Sequence, residues 1–287
     1  MNAGYIAIDW GSTHLRAWLY RDGQCVDSLQ QPLGVSRLTE QTPRQVFEKY
    51  IQPWRGAQDI PVIMAGMIGS DAGWQPVPYL ACPVSLYQLS AQLCEVAENV
   101  WIVPGLKTEQ NVMRGEETQL LGAMQLAPAD CYVMPGTHSK WVQIHEGSVS
   151  GFTTAMTGEL HHLLMNHSLI GKGLPEQHDN DAAFNSGLQC GLDSPSLVSR
   201  LFEARASRVL GDLPPECVSE WLSGLLIGAE VAAMSHELAV KHVTLVGNES
   251  LCRRYHQVLA QAGITADEIA GDAAFQQGIR SILDARR

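Results

Sequence analysis

Tyr5-Ile-Ala-Ile-Asp9-Trp-Gly-Ser-Thr13-His-Leu-Arg16-Ala-Trp-Leu-Tyr20 decides how the rest of the chain is read. An apolar run ends in a carboxylate, passes through a short Gly-Ser-Thr turn and resumes as a second apolar run. That pattern predicts a strand, a polar turn and a strand. Gly11 has no Cβ, so the backbone there can come close to a ligand. Ser12 and Thr13 bring hydroxyl and backbone donors suited to phosphate oxygens, and Asp9 at the strand end can hold a hydrated Mg²⁺. The theme returns mid-chain in Tyr132-Val-Met-Pro-Gly136-Thr137-His138-Ser139-Lys-Trp-Val-Gln-Ile144. Two phosphate-sized turns on two hairpins imply one nucleotide held between two related halves.

The surrounding pattern is α/β. Strands are expected at 4–9, 14–20 and 24–29, with Arg21-Asp22-Gly23 as a hairpin turn. A helix at 43–53 stops at Pro53, and Ile60–Ala65 reads as a buried strand. Met67–Pro78, rich in Gly and Pro, reads as a loop at a strand end, where open α/β sheets place ligands. A helix at 88–98 and a strand at 100–103 close the first half, and Pro104-Gly105 marks the boundary between domains 1–105 and 106–287. In the second half Arg114–Met124 is a helix start with an acidic first turn, which the helix dipole favours. Strands follow at 131–135, 139–145 and 148–154. A helix-rich insertion covers 159–238, with loops at 171–175 and 192–195. The strand His242–Gly247 turns at Asn248 into a helix, followed by a strand at 264–269 and a helix at 272–285.

Composition narrows the classes. The chain has 287 residues, 45% hydrophobic and 17% charged, which is ordinary for a folded globular protein. A formal net charge of −11 without a basic cluster argues against a nucleic-acid surface. The seven cysteines are scattered, odd in number and never spaced Cys-x-x-Cys, so neither a disulfide framework nor a zinc site is expected. Among the histidines, adjacent His161 and His162 diverge on a helix and His167 completes no His-Glu-x-x-His pattern, which excludes a transition-metal reading. The N-terminus lacks signal-peptide features, and no apolar run approaches the ~20 residues of a membrane span. The default expectation is a cytoplasmic protein without membrane partners, with a homo-oligomer left open.

Asp9-Trp-Gly-Ser-Thr13 resembles the first phosphate motif of the sugar kinase, actin and heat-shock chaperone superfamily. Pro135-Gly-Thr-His-Ser139 resembles the second, and Val243–Asn248 the adenosine motif. More narrowly, the chain resembles the 2-dehydro-3-deoxygalactonokinase family along its whole length. The matching strings are Ile8–Trp18, Met64–Ser70 with Gly73-Trp74, Arg114–Gln119 and Met134–Trp141. The resemblance implies two ribonuclease-H-like (actin-like ATPase) domains with a nucleotide cleft between them. It also implies transfer of ATP's γ-phosphoryl group to the 6-hydroxyl of 2-keto-3-deoxygalactonate. Where many kinases of the superfamily have Gly-Gly, this chain has Gly247-Asn248-Glu249, so base contacts do not carry over.

Roles follow. Asp9 is the Mg²⁺-associated carboxylate, acting through water. Gly11, Ser12, Thr13, Gly136, Thr137, His138 and Ser139 meet the phosphates, with Gly247 and Asn248 at the nucleoside; Lys140 is expected to face solvent. The acceptor hydroxyl needs a base in reach. Related sugar kinases place a carboxylate at a helix start entering the second domain, which selects Glu117, with Glu116 as alternative base and substrate contact. Arg16 and Arg114 can bind the sugar acid's carboxylate, Ser70 its hydroxyls and Trp74 a sugar face. Thr157-Gly158-Glu159 is either a nucleotide contact or an ordinary helix start. Two other functions fit the same residues: a kinase for a neutral sugar or pantothenate-like acid, and a nucleotide-operated assembly or chaperone ATPase.

Overall fold

The computed structural model describes residues 4–56, 59–193 and 196–286. Contacts divide the chain into two compact units. The first comprises residues up to Pro128, Gln143–Phe152 and Gly271 onward; the second comprises Ala129–Val142 and Thr153–Ala270.

In the first unit the opening residues form β1 (Tyr5–Trp10), β2 (Leu15–Arg21) and β3 (Gln24–Gln31). Asp22 and Gly23, both at positive φ, make the turn between β2 and β3. α1 (Pro43–Tyr50) starts in a capping box of Thr42 and Gln45, as the Thr-Pro-x-Gln sequence favours. The expected single helix is broken before Pro53, with α2 at Gln52–Arg55. β4 (Val62–Ala65) follows, then β5 (Leu80–Ala81), β6 (Cys94–Ala97), β7 (Val100–Ile102), β8 (Leu106–Lys107) and β9 (Val112–Met113). The helix expected at 88–98 is not formed: a 3₁₀ segment covers Leu86–Ala91, and Cys94–Ala97 pairs antiparallel with β7. Asn99 at φ 56° makes that hairpin, the left-handed conformation Asn tolerates best after Gly.

The strand order is β3-β2-β1-β4-β7-β6, and β5, β8 and β9 make a separate small sheet. β1 runs parallel to β4 and β4 to β7. Ile6, Ile8, Val62 and Met64 anchor the core under α1. Two helices complete the unit: α3 (Glu116–Leu126) and, from the chain's end, α10 (Gly271–Asp284). Both follow residue 105 in sequence yet group with the first unit. They cross with backbones touching, since a Cβ at Gly122 would overlap Ala274 O and one at Gly278 would overlap Thr118 O.

The second unit repeats the plan. β10 (Cys131–Met134), β11 (Ser139–His145), β12 (Ser148–Ala155), β13 (His242–Gly247) and β14 (Thr265–Ala270) lie in the order β12-β11-β10-β13-β14. β10, β13 and β14 are parallel neighbours, as β1, β4 and β7 are. This duplicated order is the ribonuclease-H-like arrangement, so the fold class is the expected one. The insertion supplies α4 (Thr157–His167), α5 (Asp181–Asp193), α6 (Leu197–Arg200), α7 (Glu203–Leu210) and α8 (Val218–Leu238), and α9 (Glu249–Gln261) follows β13. The loop expected at 192–195 lies partly outside the described residues. Contrary to the sequence reading, Pro215–Leu238 is long and apolar enough to cross a membrane by length and composition. Most of it is buried inside the fold, with Gly224 and Gly228 seated against the backbone of α5. That packing makes it a core helix.

Candidate active site

In the first unit the site is built at the C-terminal ends of β1 and β4. Asp9 registers opposite Arg16 on β2 and Ala65 on β4. The Arg16 guanidinium bridges Asp9 and Asp272, the latter in the first turn of α10. Asp9 is 14% exposed. Burial pushes its carboxyl above the usual range, the ion pair with Arg16 pulls it down, and the charges of Asp272 and Glu116 push it up again. Glycines let the backbone crowd around it. A Cβ on Gly66 (φ 99°) would lie 2.8 Å from Trp10 O and 3.5 Å from Asp9 Oδ1, and one on Gly115 (φ 108°) would lie 3.1 Å from Gly66 Cα. Gly66 ends β4 and Gly115 precedes α3, so the acidic start of α3 sits beside Asp9.

The two adjacent glutamates there divide, as an ~100° step around a helix requires. Glu117 is 0% exposed; its carboxylate accepts from Gly115 N–H at 2.7 Å and the Thr118 hydroxyl at 3.1 Å. Burial, with Glu116's charge adding, pushes its carboxyl up to about 8. Glu116 is half-buried and accepts from Arg114 N–H at 3.0 Å. Full burial keeps Glu117 from an incoming hydroxyl, which counts against its expected role as base.

Arg114 stacks on Tyr79, 4.2 Å from its ring centre. Its Nη2 donates to Val77 O at 2.6 Å and its Nε to Tyr79 Oη at 3.4 Å. Nη1 is buried beside Gly69 without a hydrogen-bond partner among the described residues. Arg16, by contrast, already holds two carboxylates. The Ser70 hydroxyl donates to Met67 O at 2.7 Å, and Trp74 packs edge-on against Phe47 at 5.2 Å. Each thus has a partner within the first unit, and both remain half-buried. Ser12, Thr13 and His14 are exposed in the first turn, which Gly11 N–H closes onto His14 O at 3.0 Å. Ser36 fastens that turn through its N–H and hydroxyl, both donating to Ser12 O.

In the second unit the turn after β10 opens on a cavity of about 280 Å³. Gly136 and Thr137 line it with Thr157 and Gly158 at the start of α4, while Leu226, Ile227 and Leu251 form an apolar wall. The start of α4 lies directly on the turn: a Cβ on Gly158 would be 2.6 Å from Gly136 O, and Glu159 N–H donates to Thr137 O at 3.0 Å. Such a helix start presents backbone donors and a positive dipole end to an anion. His138 is exposed and pairs with Glu159. Ser139 is buried, its hydroxyl 2.7 Å from Tyr255 Oη, and so faces the core instead of the phosphate side.

Lys140 is a correction. It is 3% exposed, with Nζ donating to His138 O at 3.1 Å. Simple alternation fails because both faces of this part of β11 are covered. Gly247 and Asn248 do not line the cavity; Asn248 caps α9 by accepting from Ser250 N–H at 3.0 Å. Leu251 and Tyr255 of α9 line it instead. The sequence reading missed these two, whose only signal was their place one and two turns after the Gly-Asn bend.

Residues 9–282 match the family model described as 2-keto-3-deoxy-galactonokinase. The chain belongs to that family. It is a carbohydrate kinase. Over 290 residues it is 53% identical to the 2-dehydro-3-deoxygalactonokinase of Escherichia coli (strain K12), covering 99% of both chains. A solved Sinorhizobium meliloti structure described under the same kinase name superposes with a TM-score of 0.88 at 29% identity, covering 98% of each chain. The activator of 2-hydroxyisocaproyl-CoA dehydratase from Clostridium difficile, at TM-score 0.55 and 12% identity over 99% of this chain and 96% of that one, shares the fold alone.

Proposed function

We propose that this kinase transfers the γ-phosphoryl group of ATP to the 6-hydroxyl of 2-dehydro-3-deoxy-D-galactonate, in the cytoplasmic breakdown of galactonate. The convergence of Asp9, Gly66, Gly115 and Glu116 at one point of the first unit carries the mechanistic reading. The cavity of the second unit supports a place for the nucleotide. Its apolar wall suits a flat base, and Gly136, Thr137 and the first turn of α4 suit its phosphates.

A cation fits the acidic end of β1. Asp9 offers hard oxygen, and no cluster of three ligating side chains occurs among the described residues. Mg²⁺ commonly binds through one or two carboxylates, waters and substrate phosphates, so Asp9 would hold it through water. When bound, the ion neutralises charge on the phosphates. Arg16 opposes the upward push of burial on Asp9's carboxyl and holds it oriented. Glu116 accepts the proton of the attacking hydroxyl; it is half-buried, close enough to act on Asp9's carboxyl, and free of Glu117's enclosure. Arg114, which forms no ion pair among the described residues, is assigned the substrate's carboxylate.

The test is ATP turnover measured against a panel of sugar acids, with the product's phosphate located by ³¹P NMR. Turnover that depends on 2-dehydro-3-deoxygalactonate and gives the 6-phosphate is expected. ATP consumption indifferent to every acid would overturn the reading.

A further inference from the structure

Glu230 of α8 is a carboxylate in the interior, 6% exposed. One oxygen accepts from Trp141 Nε1 at 2.7 Å. The other accepts from the Tyr255 hydroxyl at 2.7 Å and from the Thr157 hydroxyl. Tyr255 spends its single proton on Glu230, so the Ser139 hydroxyl, 2.7 Å away, donates to Tyr255 in turn. Every donor direction therefore runs toward one pair of carboxyl oxygens. Burial pushes the Glu230 carboxyl up, and its hydrogen bonds from Thr157, Trp141 and Tyr255 pull it back.

Three other elements meet on this group: β11 through Ser139 and Trp141, α4 through Thr157, and α9 through Tyr255. Thr157 and Tyr255 also line the cavity, and Ser139 directly follows the Gly136–His138 turn. Packing alone would be served as well by an apolar side chain, because a buried charge carries a heavy solvation cost. What the carboxylate adds is a fixed direction for each of its donors. We infer that Glu230 is a positioning residue that sets the phosphate turn and the first turn of α4 around the cavity for the nucleotide's phosphates. The inference rests on reading that cavity as the nucleotide site.

The expected readout is a split between ligands. Glu230→Gln keeps the size, but its amide N–H₂ meets a donor where the carboxylate met none. It should raise the KM for ATP and the calorimetric Kd for ADP roughly tenfold, and leave the KM for the sugar acid unchanged. Tyr255→Phe and Thr157→Val, milder changes that keep the fold if Glu230→Gln does not, should each raise the ADP Kd about threefold. Leu226→Trp, which fills the cavity, serves as the control. If it leaves ADP binding intact, the cavity reading fails and this inference with it. If it abolishes ADP binding while the Glu230, Tyr255 and Thr157 variants bind ADP as the parent does, merely melting earlier, the site stands and the positioning role is wrong.

Discussion

At the residue scale, Glu117 offers a test that needs no substrate. Its carboxyl is raised by burial from 4.5 in the unfolded chain to about 8 in the fold. The native state therefore binds its proton more tightly, so the stability it contributes is complete below about pH 4.5 and is lost as pH rises through about 8. Thermal unfolding between pH 5 and 8 should show a falling component that Glu117→Gln removes. An unchanged slope in that variant would mean the carboxyl titrates normally. For catalysis, Glu116→Gln should lower kcat by about 10²–10⁴-fold with little change in ATP affinity, whereas a near-parental kcat would return the base role elsewhere. Arg114→Met should raise the KM for the sugar acid by about tenfold or more without moving that for ATP; a rise confined to ATP would contradict the assignment. The sequence showed that a carboxylate pair opens α3, but not which member enters the core. That depends on where α10 lies, and no local pattern encodes it. Lys140 failed for a different reason: alternation reports exposure only where one face of a sheet is open, and Ser139–Val142 are buried on both.

At the element scale, the strands on either side of the Gly11–Thr13 and Gly136–His138 turns were legible because apolar runs broken at Gly are strong signals. The segment at 88–98 was not. Its residues fit a helix or a hairpin, and Asn99 in a left-handed turn decided for the hairpin. Helix glycines were equally silent. Gly122 and Gly278 look like weak points of two helices, yet each is where one backbone rests on the other. Gly278→Ala should therefore destabilise the fold by about 1–3 kcal/mol through overpacking, although alanine has the better helix propensity. Urea unfolding would measure it, and a neutral or stabilised variant would show that the crossing yields easily.

At the scale of the whole molecule, two sheets that share a five-strand order come from one chain, the first carrying β6 as an extra edge strand. The recurrence of the strand-turn-strand motif made that duplication readable. The allegiance of α10 was not readable, because it joins residues separated by most of the sequence. Arg16 to Asp272 and Tyr20 to Gln276 are such links. Removing residues from Gly271 onward should uncover the buried face of α3, and the truncated chain should partition into the insoluble fraction on expression. A soluble, cooperatively melting truncation would show that α10 is dispensable.

The place of α10 also bears on synthesis. It is translated only after the second unit, yet it covers α3 and puts Asp272 on Arg16. The unit that begins first is thus finished only after the second unit has been made, and a nascent chain stalled before Gly271 leaves uncovered the face of α3 on which α10 rests.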